Sequence, residues 1–341
     1  MLKKRRFWIG AAGSILFLGL FFWRTDLREM GRAFKDADYI YLLPAIALYF
    51  LSVWFRAIRW YYLLAPIRVV AYRRLYSVVF IGLMANNLLP LRLGELVRAY
   101  ILGEKERTSK AAILGTIAAE RGFDGITLVL FLAAVMLLPF VPLEPWLRSV
   151  AIVGAAGFLA LLIVFGLLVY NRERGAAIVG KLLAKAPARW AQPGQRLFES
   201  FVYGLEALRQ PGKVAAILIA SFLIWLVEAT MYYIVSFSFH LDLPYYTFIM
   251  VAAAANLAIA LPSTQGGIGP FELLAAKTLT LGIFGIAQGV ANAYAIVLHA
   301  TLLLPVVLVG LGFLWLENMS LGQAIREEAR AGLVGDAEVQ A

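Results

Sequence analysis

Cysteine is absent from this 341-residue chain, and only two histidines occur, His240 and His299. The first absence excludes disulfides and thiolate metal sites. The second makes no provision for a histidine-based metal centre, because the two imidazoles lie in separate segments. Charge is also scarce: 15% of residues are charged against 62% hydrophobic, with a mean hydropathy of +0.80. A soluble domain carries charge on about a quarter of its residues. So large an apolar excess cannot be hidden behind a polar surface, so lipid must cover part of it. A credible nucleotide motif is missing as well. The run from Gly175 to Lys181 fits G-x-x-x-x-G-K, but Leu182 stands where a hydroxyl should meet magnesium, and no strand precedes it. No metal and no cofactor is expected.

What the chain does have is an excess of basic residues, 31 against 21 acidic, for a net charge of +10. In a soluble protein that balance would raise nucleic acid as a partner. Here the basic residues cluster between apolar runs, which points to the anionic cytoplasmic membrane surface instead. Apolar runs at 7–23, 39–62, 111–138, 149–170, 214–239 and 290–316 each hold the roughly 20 residues that cross a bilayer. The run at 39–62 ends in Arg56, Arg59, Arg68, Arg73 and Arg74. Lys3, Lys4, Arg5 and Arg6 precede the first run, and no small-residue cleavage site follows it. It reads as an uncleaved first span with a cytoplasmic N-terminus. Residues 25–38 set Leu27, Met30 and Phe34 on one face among charges, as in an interfacial helix.

Two stretches break the pattern. One is N-N-L-L-P-L-R-L-G-E from Asn86 to Glu95; the other is L-P-S-T-Q-G-G-I-G-P-F-E from Leu261 to Glu272. Pro90, Gly94, Pro262 and Pro270 mark the breaks: proline removes a backbone donor and glycine relaxes φ, so helix should unwind there. Unwound backbone at membrane depth survives only against protein or a water-filled cavity. The basic loops 68–74 and 105–110 flank the first stretch, and both should face the cytoplasm, so this stretch reads as re-entrant. The linkers at 139–148 and 240–246 are poor in Lys and Arg, so the second stretch enters from the exterior. The expected fold is all-α and polytopic, with about six full spans plus two inverted re-entrant helix hairpins. Inverted repeats at about 39–170 and 197–316 would be joined by a basic amphipathic linker, 171–196, and residues 317–341 would be a short polar cytoplasmic tail. Both termini would be cytoplasmic in the cell's inner membrane.

Arg92, Glu95 and Arg98 follow i, i+3, i+6 spacing after the first break and share roughly one face. A charge at bilayer depth costs about 2.5–3.5 kcal/mol, so it is kept only beside partners or water. The plainer alternative is a cytoplasmic helix whose charges reach the interface. After the second break, Gln265, Gly266, Gly267 and Gly269 leave backbone N–H groups free, and Pro270 begins a half-helix whose positive end faces the membrane centre. A phosphate could be held there, although a plain helix break of small residues is the competing reading. Glu120, Arg121 and Asp124 fall near the middle of the third long run; Glu228 is isolated in another, one turn from Tyr232. Coupling or gating by these groups competes with structural ion pairing. His299 and Lys277 stand as lone polar groups.

The three motifs N-x-x-x-P-x-R-x-G-E-x-x-R, E-R-x-x-D and P-S-x-x-G-G-x-G-x-x-E resemble the flippase-like family, known from the membrane region of lysylphosphatidylglycerol synthase. The resemblance covers about residues 7–316. It implies an integral membrane fold that moves or handles phospholipids or lipid-linked intermediates. Position by position, it marks Asn87, Pro90, Arg92, Gly94, Glu95 and Arg98, then Glu120, Arg121 and Asp124, then Pro262, Gly266, Gly267, Gly269 and Glu272. The soluble aminoacyl-transferring domain of the synthase is not expected after Leu316, so lysyl transfer is not implied. The leading expectation is a lipid flippase or scramblase that holds the headgroup phosphate between two opposing half-helix ends. The alternative is an accessory membrane subunit of a separately encoded glycosyl- or aminoacyl-transferase. A membrane lipid is thus the expected substrate, with a transferase or a second copy of the chain as the other partners considered.

Overall fold

The computed structural model describes residues 19–23, 25–89, 93–139, 141, 144–184, 188–259 and 265–316. Most of the span expected at 7–23, the tail 317–341, Pro90, Arg92, Pro262 and the side chain of Gln265 lie outside the described residues. Every regular element among the described residues is helical. In chain order they are α1 (Leu27–Asp36), α2 (Leu42–Leu64), α3 (Tyr72–Leu88), α4 (Gly94–Glu106), α5 (Lys110–Met136) and α6 (Pro145–Tyr170). There follow α7 (Arg172–Leu183), α8 (Ala188–Gly204), α9 (Pro211–Phe237), α10 (Tyr245–Ile259), α11 (Pro270–Leu279) and α12 (Gln288–Leu316).

Four helical segments among the described residues are long and apolar enough to cross a membrane: Tyr39–Leu64, Pro145–Tyr170, Pro211–Phe237 and Gln288–Leu316. At 1.5 Å per residue each reaches about 40 Å, which exceeds the roughly 30 Å hydrocarbon core. Helix α5 matches them in length, at 27 residues, but carries Glu120, Arg121 and Asp124 in its middle. The protein is an all-helical, multi-pass membrane chain. Local chemistry sets several helix starts. Asp26 caps α1 by accepting from the amides of Arg28 and Glu29. Pro145 and Pro211 open α6 and α9, where a missing N–H has no intrahelical partner to lose.

The order long helix, broken hairpin, long helix occurs twice: α2, α3–α4, α5 and then α9, α10–α11, α12. Helix α2 packs most extensively on α9, and α3 on α12. The centre is aromatic, with Trp60, Phe80, Tyr232, Phe248, Phe271 and Tyr294 fully buried. Helix α6 buries only Leu147, Phe165 and Val169, so it forms an outer, lipid-facing wall. Helix α1 buries no residue, but Glu29 accepts from the Gly289 amide at 2.8 Å and Asn292 donates to Thr25. These contacts pin α1 to the start of α12. The basic stretch expected as a linker is the helix pair α7–α8. Helix α8 docks on α5 through Gly204, where a Cβ would stand 2.1 Å from the Ala112 oxygen. The boundary expected at 197 therefore falls inside a helix.

Candidate functional site

Four helices bring eight charges together in the bundle. Arg56 and Arg59 sit one turn apart on α2, Glu120, Arg121 and Asp124 on one stretch of α5, Glu95 and Arg98 on α4, and Glu228 on α9. The i, i+3 and i, i+4 spacings put each set on a single helix face. Arg59 holds Asp124 with both Nη atoms, at 2.6 and 3.2 Å, and reaches Glu120 at 3.1 Å. Arg98 lies 2.9 Å from the other Glu120 oxygen. Arg56 bonds Glu228 at 2.6 Å and stands 3.7 Å from Asp124. Arg121 pairs with Glu95 at 3.2 Å and with Asp124 at 3.6 Å. The four guanidinium groups and four carboxylates cancel in formal charge.

Neutral partners complete the shell. Ser52 donates to Glu228, Ser221 accepts from Arg59, and the Trp225 indole donates to Asp124 at 3.1 Å. Ser221, Trp225 and Glu228 follow i, i+4, i+7 on α9, so this helix presents one polar stripe to the cluster. The flat guanidinium of Arg98 lies 4.0 Å over the Trp60 ring, whose N–H is anchored on Thr116. Arg56 lies 5.2 Å over Trp225. Delocalised, weakly hydrated guanidinium groups suit such buried, stacked positions better than an ammonium would. Burial is graded. The Arg59 and Glu120 side chains are 0% and 1% exposed, whereas Arg121 and Glu95 are 31% and 26% exposed. The cluster is closed at its floor and open at the Arg121–Glu95 pair.

The first hairpin is packed backbone to backbone. A Cβ at Gly94 would stand 2.1 Å from the Gly82 oxygen and 2.6 Å from the Asn86 nitrogen; one at Gly82 would meet the Arg98 stem at 2.2 Å. Only glycine lets α3 and α4 approach this closely. In the second hairpin, Gly266, Gly267 and Gly269 take φ of 67°, 75° and 102°, a region L side chains rarely enter. The turn Gln265–Gly267 packs against α3, with the Gly266 Cβ direction pointing 3.8 Å from the Asn87 oxygen. The glycine turn of the second hairpin therefore meets the end of α3. Glu272 caps α11 by accepting from the Gly269 amide at 2.7 Å, and its other oxygen lies 2.6 Å from His299 Nδ1. His299 Nε2 lies 3.0 Å from the Gly266 carbonyl, and Phe271 stacks on the imidazole at 4.3 Å.

The structure thus gathers Glu95, Arg98, Glu120, Arg121, Asp124 and Glu228 in one network and places Asn87, Gly266, Gly267, Gly269 and Glu272 at the hairpin junction. Arg98 is buried and paired with Glu120, and both carboxylate oxygens of Glu272 are engaged within the protein. Two expectations need correction. Arg56 and Arg59 are not the basic end of a span: α2 continues to Leu64, and both side chains are interior because α5 and α9 supply their carboxylates. His299 and Lys277 are not lone polar groups, since His299 bridges Glu272 and Gly266 and Lys277 sits 4.6 Å over the Trp146 ring. The signal for Arg56 and Arg59 was present as an i, i+3 pair inside an apolar run, and for His299 as an ionisable group within a span.

The family model described as the lysylphosphatidylglycerol synthase TM region matches residues 7–310. A UPF0104 membrane protein of Methanothermobacter thermautotrophicus is 29% identical over 72% of this chain and 76% of its own length. The glycosyltransferase AglD of Haloferax volcanii is 25% identical over 93% of this chain but 55% of its own length, so the chain spans about half of that relative. A UPF0104 membrane protein of Pyrococcus horikoshii is 25% identical over 80% of this chain and 86% of its own. No solved structure matches the chain.

Proposed function

We propose, from the premise that this chain belongs to the lysylphosphatidylglycerol synthase TM region family, that it carries the headgroup of a phospholipid or lipid-linked intermediate across the bilayer. The observation that carries this reading is the graded ion cluster beside the first hairpin. Here the floor is sealed, and one guanidinium remains within reach of a ligand. A phosphate arriving at Arg121 would replace Glu95 as its anion while Arg59, Glu120 and Asp124 stay paired. Arginine suits this exchange because its fork matches carboxylate and phosphate oxygens alike. The hairpins would enter from opposite faces as inverted repeats, so that α4 and α11 begin near the bilayer middle and offer their amide ends to the same headgroup. Arg92 would add a second charge at the first tip. Both termini would lie in the cytoplasm, with the chain in the cell's inner membrane.

Reconstitution into liposomes with headgroup-labelled lipids of several classes tests the reading. Wild-type protein should move at least one anionic class, and Arg121→Gln should slow it by about tenfold or more, the effect of losing one charge-assisted contact worth about 1.5–3 kcal/mol. Protein that is folded yet moves no labelled lipid of any class would refute it. A second reading rests on the AglD similarity: the chain would serve as the membrane partner of a separately encoded glycosyl- or aminoacyl-transferase. Co-purification of a transferase, with no lipid movement by the chain alone, would favour that reading.

A further inference from the structure

The chemistry around His299 fixes the proton count at the second hairpin. One ring nitrogen faces a carboxylate oxygen at 2.6 Å and the other faces a backbone carbonyl at 3.0 Å. Both neighbours are hydrogen-bond acceptors, whereas a neutral imidazole has one N–H and one lone pair. With Glu272 ionised and His299 neutral, one of the two contacts would oppose two lone pairs inside a buried site, with His299 4% and Glu272 7% exposed. The arrangement closes only if the pair holds one more proton. Either His299 donates from both nitrogens, or a protonated Glu272 donates to Nδ1 while Nε2–H donates to Gly266.

We propose that Glu272 and His299 together form a binding site for a single exchangeable proton, and that this proton latches the glycine turn Gln265–Gly267 to α12, beside the end of α3. The proton completes the link from α12 through the imidazole to the Gly266 carbonyl. When it leaves, the pair keeps one N–H for two acceptors and the turn loses either its hold on Gly266 or its hold on Glu272. The cap on α11, from the Gly269 amide to Glu272, lies on the other oxygen of the same carboxyl, so the helix start and the turn are joined through one side chain.

The charged groups on the packed helices have partners of their own: on α5, which packs against α10, Glu120 and Asp124 are held by Arg59, and Arg121 pairs with Glu95. Helix α10 carries no charged residue, and those of α3, Arg73 and Arg74, sit in its first turn, far from the tip at Asn87. On α11 the other charge, Lys277, lies over Trp146. From α9, Glu228 is bonded to Arg56, and the phenol of Tyr232 accepts from Asn256 while its ring meets Phe271 edge-on. On α12 the Tyr294 hydroxyl donates to the Tyr232 carbonyl. From α2, Arg56 and Arg59 are held by Glu228, Asp124 and Glu120, and from α1, Glu29 is bonded to the Gly289 amide. The latch rests on and deepens the lipid reading above, in which a headgroup would pass where the glycine turn meets α3, but the proton site itself is testable without any lipid.

The chain has two histidines, and His240 takes φ of 53°, a conformation asparagine tolerates. His240→Asn therefore leaves His299 as the sole imidazole. Nitrogen-15 NMR of that ring in detergent or nanodiscs, with infrared detection of un-ionised carboxyl, reads where the proton is. Near neutral pH the expected result is two protonated ring nitrogens, or one together with an un-ionised Glu272 that disappears in Glu272→Gln. A neutral ring beside an ionised Glu272 would overturn the proposal. The latch is read separately at one fixed pH, by thiol labelling of Ile268→Cys in this cysteine-free chain. Labelling should rise several-fold on adding His299→Gln, and an unchanged rate in folded protein would overturn the latch. If His299→Gln does not fold, the NMR measurement on the folded parent still decides the proton site. Lipid movement assayed on the same parent separates the two ideas: a protonated pair with no lipid movement refutes the transport reading alone, and lipid movement with a neutral pair refutes the proton site alone.

Discussion

Replacing Arg59 with methionine removes the floor of the ion cluster while keeping most of the side-chain volume. The guanidinium is 0% exposed and supplies three hydrogen bonds to carboxylates, two to Asp124 and one to Glu120. After the change, Glu120 still has Arg98 at 2.9 Å, and Asp124 keeps the Trp225 indole at 3.1 Å with Arg56 at 3.7 Å. Three guanidinium groups then face four carboxylates, and the imbalance falls at the closed floor around Glu120 and Asp124. Breaking a buried pair by removing one partner costs about 3–5 kcal/mol, because the stranded charge is left desolvated. At roughly 2 °C per kcal/mol for a large chain, the melting temperature in detergent should fall by about 6–10 °C.

Adding Asp124→Asn to Arg59→Met restores charge balance without changing shape. Part of the loss should return, with a coupling of about 1–3 kcal/mol between the two sites. Thermal denaturation followed by tryptophan fluorescence suits the cycle, since Trp60 and Trp225 flank the cluster. A melting temperature for Arg59→Met equal to wild type, or a double mutant that is simply additive, would refute the reasoning. Either result would mean that water or a relaxed backbone already satisfies the carboxylates.

Gly94→Ala should destabilise the chain by about 1–3 kcal/mol, the usual range for overpacking, because its Cβ would strike the Gly82 and Asn86 backbone; a melting temperature in detergent checks this. Single cysteines introduced at Arg68 and Lys105 should label from the same side of the membrane in sealed vesicles, as should cysteines at both termini, and opposite labelling would dismantle the re-entrant topology. Amide hydrogen exchange should be faster across the α10–α11 hairpin than across α3–α4.

The helices were legible because each long apolar run has one physical meaning in a chain this poor in charge. The two breaks were legible for the same reason, since proline with glycine in an apolar run leaves few alternatives to unwinding. The cluster was legible in part: Glu120, Asp124 and Glu228 stand out as carboxylates within apolar runs. Their partners did not, because Arg56 and Arg59 lie within two turns of a span's end, where sequence cannot separate an interior arginine from one reaching the interface. Whether they turn inward depends on α5 and α9, which lie more than 50 and 150 residues away along the chain. His299 was hidden similarly, because its partner carboxylate doubles as the cap of a different helix.

The faster exchange expected of α10–α11 follows from how differently the two hairpins are held. The first is tied by full charges: Arg98 to Glu120 and Glu95 to Arg121 on α5, and from there to α2 and α9. Pulling α4 away would strand several of them at once, and each stranded buried charge costs several kcal/mol. Its glycine contacts add backbone interlock, so even a small sliding motion meets atoms at van der Waals distance. The second hairpin is held to its neighbours by uncharged hydrogen bonds of Tyr245 and Asn256 with α9, by the His299 contacts and by apolar packing of residues such as Ala255, Leu257 and Phe271. No cluster of paired full charges among the described residues ties it, and on the proposal above one of its links depends on a proton that can leave. Apolar packing resists separation but not sliding, and the left-handed glycines already give the turn conformations closed to other residues. On the transport proposed above, a headgroup crossing between the hairpins would need one of them to yield while the other keeps its shape. The energetics assign the yielding role to the glycine hairpin and the fixed role to the charged one.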